Sequence, residues 1–312
     1  MKKHINIAIV AMCAALSAEA ATPEARDVAR AEILKGVQSI DVGGGALPGP
    51  LILMGDDAFP LAECRNYDGS CAFAAAGAFH GQGRAVYLSH PAYLDSRPFL
   101  RDPAAVLQQA VQWAAAGKAK AKVAVLRSGS VVNALKELGV ADVARIESAN
   151  GLKGFDVLVG SGFQKDEVPV ILDFVKRGGG LIGAGLGWGF LYYNPDACFA
   201  EEFVDNRLMA PMGVLMGDVG TSRIDGAFPT SCDKIPSGTY ADDALALAMK
   251  GAFASSAERK QVTKTLTHLV NSLPGDVRPD VNAKLMELAS RPEASAVPSP
   301  DKPVGSESVF AR

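Results

Sequence analysis

Between residues 51 and 185 the apolar positions come as short unbroken blocks. They are LILMG (51–55), RAVYLS (84–89), KVAVLRS (122–128), FDVLVGSG (155–162) and GLIGAG (180–185). Blocks of this length, bounded by glycine and polar residues, predict strands buried on both faces. The stretch 71–90 predicts two strands joined at HGQG, and DVARIES (142–148) predicts another. Between them the period changes to that of a helix at 22–38, 102–117, 129–139 and 165–179. Thr22 and Pro23 suit the cap and first turn of the first helix. The helix at 165–179 carries acids at its start and Lys176-Arg177 at its end, which matches the helix dipole. Strands alternating with helices predict a doubly wound, mostly parallel α/β domain over 22–240. Ligands in such sheets bind beyond the carboxyl ends of the strands.

The later pattern differs. Residues 241–255, 257–273 and 280–290 have helical period, so 241–290 is expected to be a helical segment. Residues 291–312 have the Pro/Ser content of a linker-like tail.

Composition narrows the class. The 312 residues are 48% hydrophobic and 21% charged, with a net charge of −3. The basic stripe of a nucleic-acid binder is missing, so no nucleic-acid partner is expected. Lys2 and Lys3, an apolar run at 5–16 and Ala18-Glu19-Ala20 predict a signal peptide over 1–20, and hence a periplasmic or secreted protein. The apolar run is too short to cross a bilayer, and no membrane span is expected. Four of the five cysteines follow that segment: Cys64, Cys71, Cys198 and Cys232. An even count in an exported chain favours disulfides. Cys64 and Cys71 flank a turn and are expected to staple a hairpin, which leaves Cys198 for Cys232. A zinc site has the wrong spacing, and no H-E-x-x-H occurs.

Two stretches carry candidate chemistry. GGGLIGAGLGWGF (178–190) has the strand-to-turn shape of a nucleophile elbow, but Gly185 and Leu186 stand at its tip, where a Ser or Cys is required. G-x-G-x-x-G is not satisfied either. Ser89 and His90 follow one strand, and Asp56 and Asp57 follow another, so Ser89, His90 and Asp57 form a Ser/His/Asp hydrolase candidate. Trp188, His90, Asp56 and Tyr93 are the candidate ligand contacts. Trp188 is set apart from Tyr192 and Tyr193, which are expected in the core. His80 is expected exposed in its turn, and His268 on a helix surface. The acidic loop 194–206 lacks the order of a calcium loop.

LPGPLILMGDDAFPLA, GQGRAVYLSHPAYL, AVQWAA and FVKRGGGLIGAGLGWGF occur in one order and spacing. Together they resemble the glutamine-amidotransferase-like domain that precedes the catalytic domain in enhancin-like zinc peptidases. These include bacterial mucin-targeting immunomodulating metalloproteases and the animal TRP-channel-associated factors. The likeness covers roughly residues 46–220, and 241–290 is similar to the helical region that follows in the bacterial proteins. In that family the zinc site, H-E-x-x-H plus a later Glu, lies in a downstream domain. None of those positions exists in this chain, so the resemblance implies no protease activity here, and zinc only with such a downstream domain. It also implies an amidotransferase-like elbow without its cysteine.

The expected function is therefore an exported, non-catalytic accessory module without a cofactor. Its expected partner is an O-glycosylated protein or a peptidase domain. The alternatives are a Ser/His/Asp hydrolase and a structural envelope protein.

Overall fold

The structure, a computed structural model, describes residues 20–41, 46–95 and 102–291. The predicted signal segment, except Ala20, and the tail beyond Arg291 lie outside them. Helix α1 (Pro23–Ile33) starts where its sequence says: the Thr22 hydroxyl accepts from Ala25 N, and Pro23 takes the first position. Its Ala29 and Ile33, one turn apart, are buried.

Strands β1 (Leu51–Leu53), β2 (Ala58–Asn66), β3 (Cys71–His80) and β4 (Gly83–Leu88) follow. After β4 come the short α2 (Ala92–Asp95), then α3 (Asp102–Ala114), β5 (Lys122–Leu126), α4 (Gly129–Glu137) and β6 (Asp142–Ile146). Strand β7 (Val157–Ser161), α5 (Val168–Lys176) and β8 (Gly180–Ala184) complete the alternating region. In the ten-stranded sheet of the described residues, eight strands follow the order β10 (Thr221–Ser222)-β2-β3-β4-β8-β7-β5-β6, and β1 branches off β3 to pair with β9 (Val214–Met216). Strands β4, β8, β7, β5 and β6 are parallel. Strands β2, β3 and β4 form an antiparallel meander beside them. The chain steps from β5 out to β6 and then back to β7 and β8, so the lateral direction reverses at β5.

The unbroken apolar strands are explained by layers on both faces. Val86, Val125 and Ile182 join Ile33, Trp113 and Leu135 in one core. Their strand neighbours Tyr87, Leu126 and Leu181 join Ile171, Val175 and Leu208 in the other. Each fully buried Val, Leu or Ile contributes about 1.5–3 kcal/mol.

After β8 come α6 (Gly187–Tyr193), α7 (Phe199–Glu202), α8 (Val204–Met209), β9 (Val214–Met216) and β10 (Thr221–Ser222). Helices α9 (Ala241–Lys250), α10 (Ser256–Ser272) and α11 (Pro279–Ala289) form a third layer. Strands β1 and β9 pair antiparallel, with Ile52 opposite Leu215. These two side chains face Val262, Leu266, Leu269 and Val281 of the helical layer. Leu51, Leu53, Val214 and Met216 point the other way, into the second sheet core. The period-2 alternation of one ladder thus joins the helices to the sheet.

Candidate functional site: a filled elbow and a plugged crevice

At the carboxyl end of β8 the chain turns sharply into α6. Gly185 sits where an elbow places its nucleophile. A Cβ there would lie 2.2 Å from the Tyr87 hydroxyl and 2.6 Å from Asp205 Oδ2. Gly187, at the start of α6, is equally tight: a Cβ would meet the Gly217 carbonyl at 2.2 Å. The elbow therefore lacks a nucleophile and also lacks room for one. Burial pushes the Asp205 carboxyl up to about 7, with Tyr87 pulling the other way. Burial likewise raises the Tyr87 hydroxyl. Asp205 Oδ1 has no hydrogen-bond partner among the described residues.

The crevice at β5 and β7, where the strand order reverses, is the general ligand position of open α/β sheets. Here Arg127 fills it. Its guanidinium meets Glu167 in a fork, at 2.8 Å to Oε1 and 2.9 Å to Oε2. It also donates to the Gly162 carbonyl at 3.0 Å. The Glu167 carboxylate accepts from the backbone N–H of Ala149 and Gln164 as well. Burial acts to raise Glu167, but Arg127 and these two amides outweigh it and hold the carboxyl below its usual range. The sequence reading missed this pair. Glu167 read as a helix-dipole acid, and an Arg directly after an apolar strand was the available signal.

The hydrolase residues do not assemble. Ser89 is fully buried, and its hydroxyl donates to the Ala74 carbonyl at 2.6 Å. His90 Nδ1 accepts from Ala92 N at 3.0 Å, so its lone pair is spent on starting α2. Burial holds that ring below the usual imidazole range. Asp57 precedes β2, and its carbonyl accepts from Phe79 N near the end of β3. That is the amino end of β4, about 20 Å of strand away from Ser89. Asp56 lies at the same far edge, exposed.

The aromatic candidates also move. Tyr93 is buried, close to Cys64 and Leu94 in the first core. Trp188 is half-buried, and its indole N–H donates to the Leu47 carbonyl at 2.9 Å. Tyr192 and Tyr193, expected in the core, are instead 62% and 80% exposed. Their rings pack edge to face at 5.2 Å. Helix α6 is short and turns its last residues outward, so they form an aromatic ledge one turn beyond Trp188.

The expected disulfides are not formed; all four thiols are free. Cys64 pairs with Ala72, and Arg65 with Cys71, so the two cysteines are one residue out of register. They therefore point to opposite faces of the hairpin. Cys64 enters the core, while Cys71 approaches Glu63 at 3.4 Å. Burial raises Cys64, and it raises Cys71 to about 12 and Cys232 to about 11. Cys198 is exposed at the start of α7.

His268, expected on a helix surface, is 2% exposed at the seam between α10 and the sheet. Hydrogen-bond directions run inward from the β2–β3 turn. The Ser70 hydroxyl donates to Asp68, and Asn66 Nδ2 donates to Ser70 Oγ. This leaves Asn66 Oδ1 to accept from His268 Nε2 at 3.1 Å. Nδ1 faces Asp218 at 3.4 Å. Burial lowers the His268 ring, with Asp218 opposing. Asp218 belongs to the loop that follows Gly217, whose carbonyl abuts the elbow.

No group of His, Cys, Asp and Glu suited to a metal occurs among the described residues. None of their helices is long and apolar enough to cross a membrane. Two clefts lie away from the elbow. One of about 640 Å³ runs between α1 and residues 230–233, and one of about 450 Å³ lies at the β2–β3 turn.

A family model described as "TRPM8, N-terminal domain" matches residues 6–229. The chain belongs to this family. The TRPM8 channel-associated factor homolog of Danio rerio is 28% identical over 204 residues, covering 64% of this chain and 21% of its own. TRPM8 channel-associated factor 2 of Bos taurus is 31% identical over 205 residues, covering 65% of this chain and 21% of its own. The chain thus spans about a fifth of the length of the curated relatives it matches. Among solved structures, IMPa from Pseudomonas aeruginosa in complex with an O-glycopeptide has a TM-score of 0.51 at 14% identity. That match covers 85% of this chain and 37% of the other, and it shows the fold. The resemblance read from the sequence is borne out by the family match together with this shared fold.

Proposed function

We propose that this chain is an exported accessory module that recognises an O-glycosylated protein and carries out no chemistry of its own. The observation that carries the reading is the elbow. Gly185 has no reactive side chain, and Tyr87 and Asp205 occupy the space where one would stand. A domain that keeps the elbow's shape but fills its reaction space retains surfaces, not catalysis. The surface beside it suits sugar: Tyr192 and Tyr193 present aromatic rings to solvent next to Trp188, and the C–H face of a pyranose stacks on such rings. The fold neighbour IMPa was solved with an O-glycopeptide, which points to the same ligand class.

The test is co-sedimentation of the purified protein with O-glycosylated mucin, followed by a gel of the mucin. Intact mucin, bound by the wild type and released by Tyr192→Ala/Tyr193→Ala, is the expected result. Mucin fragments would overturn the non-catalytic reading. Absence of binding would overturn glycan recognition and turn the search to a protein partner. That partner would be a peptidase domain or, by the names of the relatives, a channel.

A further inference from the structure

Ala20 and Ala21 lie just ahead of the α1 cap Thr22, with Ala20 exposed and Ala21 half-buried. The amide nitrogen of Ala21 donates to Asp57 Oδ1 at 2.8 Å, from a residue 36 positions away in sequence. That nitrogen belongs to the peptide bond that follows Ala18-Glu19-Ala20, the small-residue pattern of a leader cleavage site.

We infer that Asp57 is the dock for a processed chain start, and that cleavage after Ala20 leaves the α-ammonium of Ala21 seated on the Asp57 carboxylate. The inference rests on the export reading proposed above. The step is hydrolysis by a leader peptidase. Water adds across the Ala20–Ala21 bond, Ala20 leaves as a carboxylate, and Ala21 keeps the nitrogen as an ammonium. The existing N–H···O contact then becomes a charge-assisted one.

The electrostatics favour such a partner. A new positive charge two residues before α1 faces the positive end of the helix dipole. Glu24 in the first turn of α1 and Asp57 from the β1–β2 loop offset it. The other charged groups near Asp57 leave it open. Asp56 is its exposed neighbour. Arg278 feels Asp57 from the start of α11, but its guanidinium is forked onto Asp280 at 3.0 and 2.8 Å. His80 feels it from the end of β3, but burial and Lys176 lower that ring toward its neutral form. Asp57, a hydrolase candidate in the sequence, thus acquires a different role.

The experiment uses the full chain, expressed with its leader in a bacterial host. N-terminal sequencing of the exported protein is expected to read Ala-Thr-Pro-Glu-Ala. The α-amine is then acylated near pH 7, where only the uncharged amine reacts. Asp57→Asn is expected to react about tenfold faster than wild type, the change that one pKa unit produces. Asp56→Asn is expected to react at the wild-type rate. A chain that still begins at Met1 would overturn the export reading and this inference with it. Cleavage at another bond would overturn the dock while leaving export standing. Cleavage after Ala20 with equal rates in wild type and Asp57→Asn would overturn the ion pair alone. Should Asp57→Asn not fold, one glycine inserted ahead of Ala21 displaces the amine, and an unchanged rate in that chain is equally damaging.

Discussion

Replacing Arg127 by methionine removes the counter-charge from a carboxylate with almost no access to water. The Glu167 side chain is 3% exposed, and that of Arg127 is 27% exposed. The substitution deletes two charged hydrogen bonds to Glu167 and the bond to Gly162. The amides of Ala149 and Gln164 remain on the carboxylate, but the charge is left without a cation. Breaking a buried pair from one side costs about 3–5 kcal/mol. The partial exposure of Arg127 puts this case at about 3 kcal/mol. For a chain of this size that lowers the melting temperature by about 5 °C. The assay is thermal unfolding followed by circular dichroism at neutral pH, on Arg127→Met, Glu167→Gln and the double variant. The double variant is expected to recover part of the loss, because the orphaned charge is gone. The pH dependence follows from the lowered Glu167 carboxyl: its stabilisation is complete above the ordinary Glu value of about 4.3 and is lost as pH falls below it. An Arg127→Met protein that melts with the wild type, or a double variant no better than that single one, would refute the plug.

Further expectations concern the elbow, the seam and the thiols. Gly185→Cys forces Tyr87 and Asp205 aside, so it should destabilise by about 1–3 kcal/mol in chemical denaturation and gain no amidase or esterase turnover. Because the folded Asp205 carboxyl is raised to about 7, the folded state holds a proton that the unfolded chain releases near pH 4. Stability should therefore fall between about pH 4 and 7, and Asp205→Asn should flatten that slope in a melting-temperature series. The lowered His268 ring contributes stability that is complete above about pH 6.5 and declines as pH falls further, a decline that His268→Gln should remove. Of Cys64, Cys71, Cys198 and Cys232, Cys198 alone should react quickly with Ellman's reagent in the native protein, and all four after denaturation. Prompt reaction of Cys71 would contradict its burial.

The residues show where local information ends. The unbroken runs around Val86, Val125 and Ile182 announced strands covered on both faces, and Thr22-Pro23 announced the start of a helix. Strand–helix alternation announced a doubly wound sheet, and the missing Ser or Cys at Gly185 announced an elbow without a nucleophile. These signals lie within a few residues of the feature they specify. The candidate site itself was barely legible. Cys64 and Cys71 sit at a spacing that suits a hairpin staple, but a one-residue register in the β2–β3 ladder sends them to opposite faces. His268 and Tyr193 have sequence surroundings that gave the opposite of their true burial, because a layer 50 or more residues away covers one and leaves the other bare. Asp57 and Ser89 both follow strands, but the meander carries them to opposite ends of β4. Arg127 and Glu167 are 40 residues apart and meet only because the strand order reverses between β5 and β7. Period and capping are set by the chain's nearest neighbours, and so the sequence by itself determined the alternating strands and helices and the elbow without a nucleophile, though not β2, β9 or β10. Register, layer order and charge pairing depend on partners brought together by the whole sheet, and only the tertiary structure decided them.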